Sequence, residues 1–260
     1  MPFADVGGFR LHHRWEGAGS GPVLLLSHSL GATSELWRPQ LAAFGERFRV
    51  LLYDHRGHGQ SGLPEPPWTI ADFGRDALAL LDQLSLSRVH FCGLSLGGMV
   101  GMWLAQNAPE RIGRLVLSNT AARTEDPALL RGRIAEVERG GMEPIVENIL
   151  ARWFTEAFHA RDLAAVDAMR RLVRAASPVA YAAASRAVCD LDLRAGLARI
   201  AAPTLVVLGR HDLATPPAWN RAIAAAIPGA ETVELAAAHL ANIEAAEAFN
   251  AAVLRFLNSD

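Results

Sequence analysis

Gly93-Leu94-Ser95-Leu96-Gly97 lies between an apolar run, Arg88-Val89-His90-Phe91-Cys92, and a helical stretch from Leu96 to Gln106. The pentapeptide reads as a sharp turn joining a strand to a helix. Glycines on either side let the backbone close up without Cβ clashes, while the serine between them must occupy a strained conformation. Its hydroxyl then stands above the end of a sheet. The following helix aims its positive end and its unpaired N–H groups at the same point. Such a pentapeptide alone is a weak signal, because small residues are common. The strand before it and the helix after it make it the signature of a nucleophilic serine held on an elbow.

Outward from this turn, extended runs recur at regular intervals. Phe9 to Trp15 alternates loosely and reads as an early strand. Val23-Leu24-Leu25-Leu26 is continuously apolar, as expected for a strand buried on both faces. Phe48 to Tyr53, Val89 to Cys92, Leu115 to Ser118 and Thr204 to Leu208 repeat that pattern, and Thr232 to Leu235 is a shorter last member. Helical periods fall between them. Thr69 can cap a helix whose apolar positions Ile70, Phe73, Ala77, Leu80, Leu81 and Leu84 follow the 3.6 repeat, and Ala241 to Leu257 reads as a closing helix. Residues 123–199 break the rhythm, with helical segments rich in alanine and arginine but no buried-strand run. The expected fold is α/β: a mostly parallel, doubly wound sheet of about eight strands with an inserted helical cap. The core is expected over 1–122 and 200–260, and the cap over 123–199.

Composition narrows the function. A chain of 260 residues with 51% hydrophobic residues, 20% charged and a net charge of −2 reads as a globular, soluble protein with a large core. No basic run interleaved with aromatics favours nucleic acid. Apolar stretches are strand length, short of the ~20 residues a membrane span needs. Met1-Pro2-Phe3-Ala4-Asp5 lacks a basic n-region, so it does not read as a signal peptide. Cys92 and Cys189 read as free, buried thiols of a cytoplasmic protein. All 25 basic residues are arginine, so chemistry that depends on a lysine is excluded.

A serine hydroxyl needs a base, and the base needs an orienting acid. In the α/β-hydrolase fold these follow in the order Ser, acid, His. His239 sits in the loop between the last strand and the last helix, where a base can hang over Ser95. Asp212 follows the strand ending at Leu208, at the strand end where open α/β sheets present ligand-facing groups. Asp190 and Asp192 are weaker rivals for the acid, and His211 for the base. Leu96 and Leu30 are the expected backbone N–H donors to an oxyanion, with Gly31 letting the Leu30 peptide turn toward Ser95. His55 and His58 could suggest a metal, but nothing completes a ligand set. The stretch Tyr53 to Ser61 reads instead as a structural turn in which Asp54, Arg56 and Ser61 satisfy one another and nearby backbone. No metal or cofactor is expected.

Nearly the whole chain resembles the 3-oxoadipate enol-lactonases. The more specific stretches are Leu117 to Arg123, Arg133-Ile134 through Gly141-Met142 to Arg152-Trp153-Phe154-Thr155, Asp190 to Arg194, Asp212 to Pro217 and Ala237 to Glu244. His28 departs from the resemblance, since those proteins often carry Asn there. The resemblance implies a Ser95–Asp212–His239 triad that opens a lactone bearing a free carboxylate. Arginine suits bidentate recognition of that carboxylate. Arg133 is the leading candidate, with Arg152, Arg186 and Arg194 as others, and Trp153 is expected to pack over the ring. The competing readings are another serine carboxylesterase, a perhydrolase or a carbon–carbon bond hydrolase of this fold, and more remotely a non-catalytic receptor. The oligomeric state is not legible.

Overall fold

Alternate residues of the apolar runs serve opposite faces of one sheet. The computed structural model describes residues 2–17 and 21–258; Met1, which opens the stretch read against a signal peptide, lies outside them, as do Ser259 and Asp260 at the end of the expected core. Strands Phe3–Asp5 (β1), Arg10–Glu16 (β2), Val23–Ser27 (β3), Arg49–Tyr53 (β4), Val89–Leu94 (β5), Ile112–Ser118 (β6), Thr204–Gly209 (β7) and Glu231–Leu235 (β8) form a sheet in the order β1-β2-β4-β3-β5-β6-β7-β8. β1 and β2 run antiparallel, and every pairing from β4 to β8 is parallel. β1 was not anticipated. It is three residues long, too short to show a period.

Helices Leu41–Gly45 (α1), Ile70–Gln83 (α2) and Leu96–Asn107 (α3) connect the first strands. Thr69 heads α2 as expected, and the Asp72 carboxylate accepts both its N–H and its hydroxyl at 2.7 Å. Leu25, Leu51, Phe91 and Leu117 point to the face covered by α2 and α3, where Phe73, Leu80 and Val100 join them. Leu24, Leu26, Leu52 and Val116 point the other way, toward Trp37 and Phe44. Each large apolar side chain so buried contributes about 1.5–3 kcal/mol.

Between β6 and β7 the chain forms only helices: Pro127–Gly140 (α4), Val146–Trp153 (α5), Glu156–Arg161 (α6), Leu163–Arg174 (α7) and Pro178–Cys189 (α8), with short 3-10 turns. This insertion extends both halves of the core. Ile149, Trp153, Val166 and Tyr181 pack with one apolar cluster, and Ala180, Ala183 and Ala184 with the other. Its ends are tied together by a bridge between Arg123 and Asp192 and by the Leu193 N–H, which donates to the Ala122 carbonyl (2.7 Å).

Helices Pro217–Ala226 (α9), Ala241–Glu244 (α10) and Ala246–Leu257 (α11) complete the chain. The closing helix expected over Ala241 to Leu257 is therefore two helices, broken at Ala245 (φ −125°, ψ 47°). The reason is tertiary: the Glu244 carbonyl, which a continuous helix would pair within itself, accepts from Arg161 Nη2 at 2.8 Å. The turn from Tyr53 to Ser61 is corrected in one respect. Asp54 accepts from the Ser34 and Gln60 N–H groups, but Arg56 forms its ion pair with Asp76 (2.6 Å), not with Asp54 or Ser61. Among the described residues no helix is long and apolar enough to cross a membrane.

Candidate active site

Ser95 follows β5 and heads α3 with φ 57° and ψ −114°. A non-glycine residue held there costs about 1–3 kcal/mol. The surroundings enforce it: the Ser95 N–H donates to the Ser118 carbonyl (2.9 Å), and the Thr120 hydroxyl donates to the Ser95 carbonyl (2.7 Å). The flanking glycines answer close approach. A Cβ on Gly93 would lie 2.2 Å from the Gly97 carbonyl oxygen, and one on Gly97 would lie 2.0 Å from that of Ser27. A serine at a helix head usually spends its side chain on a cap. Ser95 makes no such bond, and it lines the cavity above the sheet.

Asp212 lies three residues beyond β7 and His239 in the loop after β8. His239 Nδ1 and Asp212 Oδ2 are 2.8 Å apart, both residues buried. A carboxylate only accepts, so Nδ1 carries the proton and Nε2 keeps its lone pair. The structure adds partners that sequence reasoning missed. Oδ2 also accepts from Asn119 Nδ2 (2.9 Å) and the Thr215 hydroxyl (2.7 Å), while Oδ1 accepts the N–H groups of Ala214 (2.7 Å) and Thr215 (2.9 Å). Burial alone would push the Asp212 carboxyl up. His239 and the hydrogen bonds from His239, Asn119 and Thr215 outweigh it and hold the group below the usual aspartate range. Asn119 itself holds a positive φ, 44°. The rivals stand elsewhere: Asp190, Asp192 and His211 are all exposed, and Asp192 pairs with Arg194.

The loop after β3 turns at Gly31. Gly31 has φ 70°, and its own N–H is spent on His58 Nε2 (3.2 Å), while Leu30 lines the cavity. Leu96, the first residue of α3, has no acceptor within its helix. Behind the loop, His28, His55 and His58 are buried together, with the rings of His28 and His55 4.4 Å apart. Main chain binds them: His28 donates from Nδ1 to the Ser29 carbonyl (2.8 Å) and accepts the His55 N–H at Nε2 (3.0 Å), and His58 donates to the Arg56 carbonyl (2.9 Å). This supports the reading of the segment as a structural turn. Among the described residues no cluster of three or more His, Cys, Asp or Glu has a metal-holding arrangement.

Burial, then the neighbouring His58, pulls the pKa of His28 down to about 4 from an ordinary value of 6.5. A histidine with a depressed folded pKa takes up a proton on unfolding. Its contribution to stability is complete above the unfolded value and is lost as pH falls toward the folded one. Stability is therefore expected to drop between about pH 6.5 and pH 4. Thermal unfolding of the parent and of His28→Asn at pH 7 and pH 5 checks this: the variant loses less. Equal losses would rule out His28 as a source.

The cavity holds about 300 Å³ and is lined by Ser95, His239, Leu30, Arg133, Arg152 and Trp153, among others. Arg186 and Arg194 do not reach it; their side chains pair with Glu138 and Asp192 on the surface. Arg133 lies against the Tyr181 hydroxyl, and Arg152 donates to the Leu213 carbonyl. Neither has an ion-pair partner among the described residues, and Arg152 Nε is buried without an acceptor. Burial, then repulsion from Arg133, lowers the pKa of Arg152. Two guanidinium groups thus line one cavity with neither in an ion pair, although Asp126 lines the same cavity.

A family model described as the alpha/beta hydrolase fold matches residues 22–246. The chain belongs to that family, and it is a hydrolase of the carboxylic-ester class. It is 35% identical over 243 residues to 3-oxoadipate enol-lactonase 2 of Acinetobacter baylyi, covering 94% of this chain and 91% of the relative. The crystal structure of the enol-lactonase from Burkholderia xenovorans LB400 superposes with a TM-score of 0.97 at 42% identity, over 99% of this chain and 100% of that one. A Caulobacter sp. strain K31 protein that carries the name carbamate hydrolase RutD is 33% identical over 272 residues, covering 96% of each chain.

Proposed function

We propose that the protein hydrolyses 3-oxoadipate enol-lactone to 3-oxoadipate in aromatic-compound catabolism by the β-ketoadipate pathway. One observation carries the reading: a serine on a strained elbow shares a cavity with a His–Asp pair and with two arginines that lack carboxylate partners. Ser95 Oγ attacks the lactone carbonyl as its proton passes to His239 Nε2. Asp212 keeps the imidazole in the Nδ1–H tautomer and stabilises the imidazolium. The oxyanion faces the N–H groups of Leu30 and Leu96. Collapse breaks the ring C–O bond; the enolate leaves with the proton from His239 and ketonises, while the acyl group stays on Ser95. His239 then deprotonates a water that attacks the ester, and Ser95 departs with that proton.

Arg133, with Arg152 beside it, holds the free carboxylate, and Trp153 packs over the ring. The segment 123–199 serves as a cap over a core formed by 1–122 and 200–260. A cytoplasmic location accords with two unpaired cysteines, of which Cys92 is buried and Cys189 partly so.

The test compares kcat/KM for the enol-lactone with that for a neutral nitrophenyl ester, in the parent and in Arg133→Met. The parent should prefer the lactone. The variant should raise KM for the lactone by roughly 10–100-fold, as expected for a charge-assisted hydrogen bond of about 1.5–3 kcal/mol, with little effect on the ester. A parent preference for the neutral ester would overturn the substrate. Equal effects of Arg133→Met on both substrates would remove Arg133 from recognition.

A further inference from the structure

The geometry points to Glu244 as a positioning residue that fastens the His239 loop to the end of α5. Glu244 is 8% exposed. Its Oε2 accepts the N–H of Ala238 (2.9 Å) and of Thr155 (3.3 Å), and its Oε1 accepts the Thr155 hydroxyl. Ala238 immediately precedes His239. Leu240, immediately after it, donates its N–H to the Trp153 carbonyl (3.0 Å). The residues on both sides of His239 are therefore held through the segment that ends α5, the helix that also brings Arg152 to the cavity.

Three features argue that this is more than packing. His239 sits in a loop between β8 and α10, so regular secondary structure does not fix its position. The Thr155 hydroxyl is engaged as donor and as acceptor, since it donates to Glu244 while accepting the Phe158 N–H (3.2 Å). The carboxylate has no cation paired with it among the described residues. Burying a carboxylate on neutral donors alone is costly, and here the cost is met by three donors that would otherwise lack an acceptor. The arrangement ties the base loop to the cavity wall, so that contact with Trp153 and placement of His239 Nε2 are set together.

This proposal rests on His239 acting as the base, and the experiment separates the two. Sites are counted by stoichiometric reaction with a fluorophosphonate. Then kcat and KM for the enol-lactone, and the serine phosphonylation rate constant, are measured per counted site. Glu244→Ala should lower kcat and the phosphonylation rate by roughly 10–100-fold with KM within about threefold, since small misplacements of a reacting group cost on that order. Glu244→Gln, whose amide oxygen can still accept the Ala238 N–H, should recover most of the rate. Thr155→Val should act in the same direction to a smaller extent. A role confined to folding would lower the number of counted sites and leave the rate at each unchanged. Rates per site within about twofold of the parent in Glu244→Ala overturn the proposal. Should that variant not fold, rates per site within about twofold of the parent in Thr155→Val overturn it. His239→Ala runs in parallel: if it stays active, the base assignment fails, whereas an inactive His239→Ala beside a normal Glu244→Ala, or a normal Thr155→Val where that variant does not fold, sinks the clamp alone.

Discussion

Replacing Ser95 by alanine is expected to lower kcat by about 10⁶-fold, by analogy with the removal of a triad serine elsewhere. The loss should fall almost wholly on kcat, because the substrate contacts proposed for Arg133 and Trp153 do not involve the hydroxyl. Folding should be spared. The strained backbone at Ser95 is held by main-chain bonds to Ser118 and Thr120, and no cap bond is lost with the side chain. Steady-state rates of Ser95→Ala, with thermal unfolding as the control, decide it. A variant that folds normally and keeps more than about a hundredth of the parent rate would exclude Ser95 as the nucleophile and with it the acyl-enzyme route.

The second large effect is expected from Asp212→Asn, at roughly 10⁴-fold in kcat. The hydrogen-bond geometry gives the reason. Two N–H groups converge on Oδ1, so an asparagine would turn its oxygen to that side and its NH₂ toward His239. Facing a donor, the imidazole would reverse its tautomer and put a proton on Nε2, where a lone pair must accept the serine proton. That NH₂ would also meet the donors Asn119 Nδ2 and the Thr215 hydroxyl, costing stability as well. Rates per titrated site check the catalytic part. A loss below about tenfold would take Asp212 out of the triad.

Much of this was legible along the chain. Continuous apolar runs identified the parallel strands because a strand buried on both faces has no polar side. The elbow was legible because glycine is the only residue whose absent Cβ permits approaches such as that of Gly97 to Ser27. The order of Ser95, Asp212 and His239 follows from the fold's connectivity. Less was readable where partners come from distant sequence. Asn119 and Asp212 are 93 residues apart, and Thr155 and Glu244 are 89 apart. Neither pair leaves a period or spacing to detect. Arg56 was read with its near neighbours, yet it reaches Asp76 across a turn.

The sequence by itself determined the class of fold and the place of the serine, and it singled out Asp212 and His239 as the residues proposed to activate it. These depend on local conformation and on which side chains exist at all. Tertiary structure alone decided which arginines face the cavity, why the last helix breaks at Ala245, and what holds Asp212 and His239 in register. Those outcomes depend on the directions in which packed elements carry their side chains. A buried donor or acceptor takes whichever partner the fold brings within about 3 Å, however far away it lies in the chain.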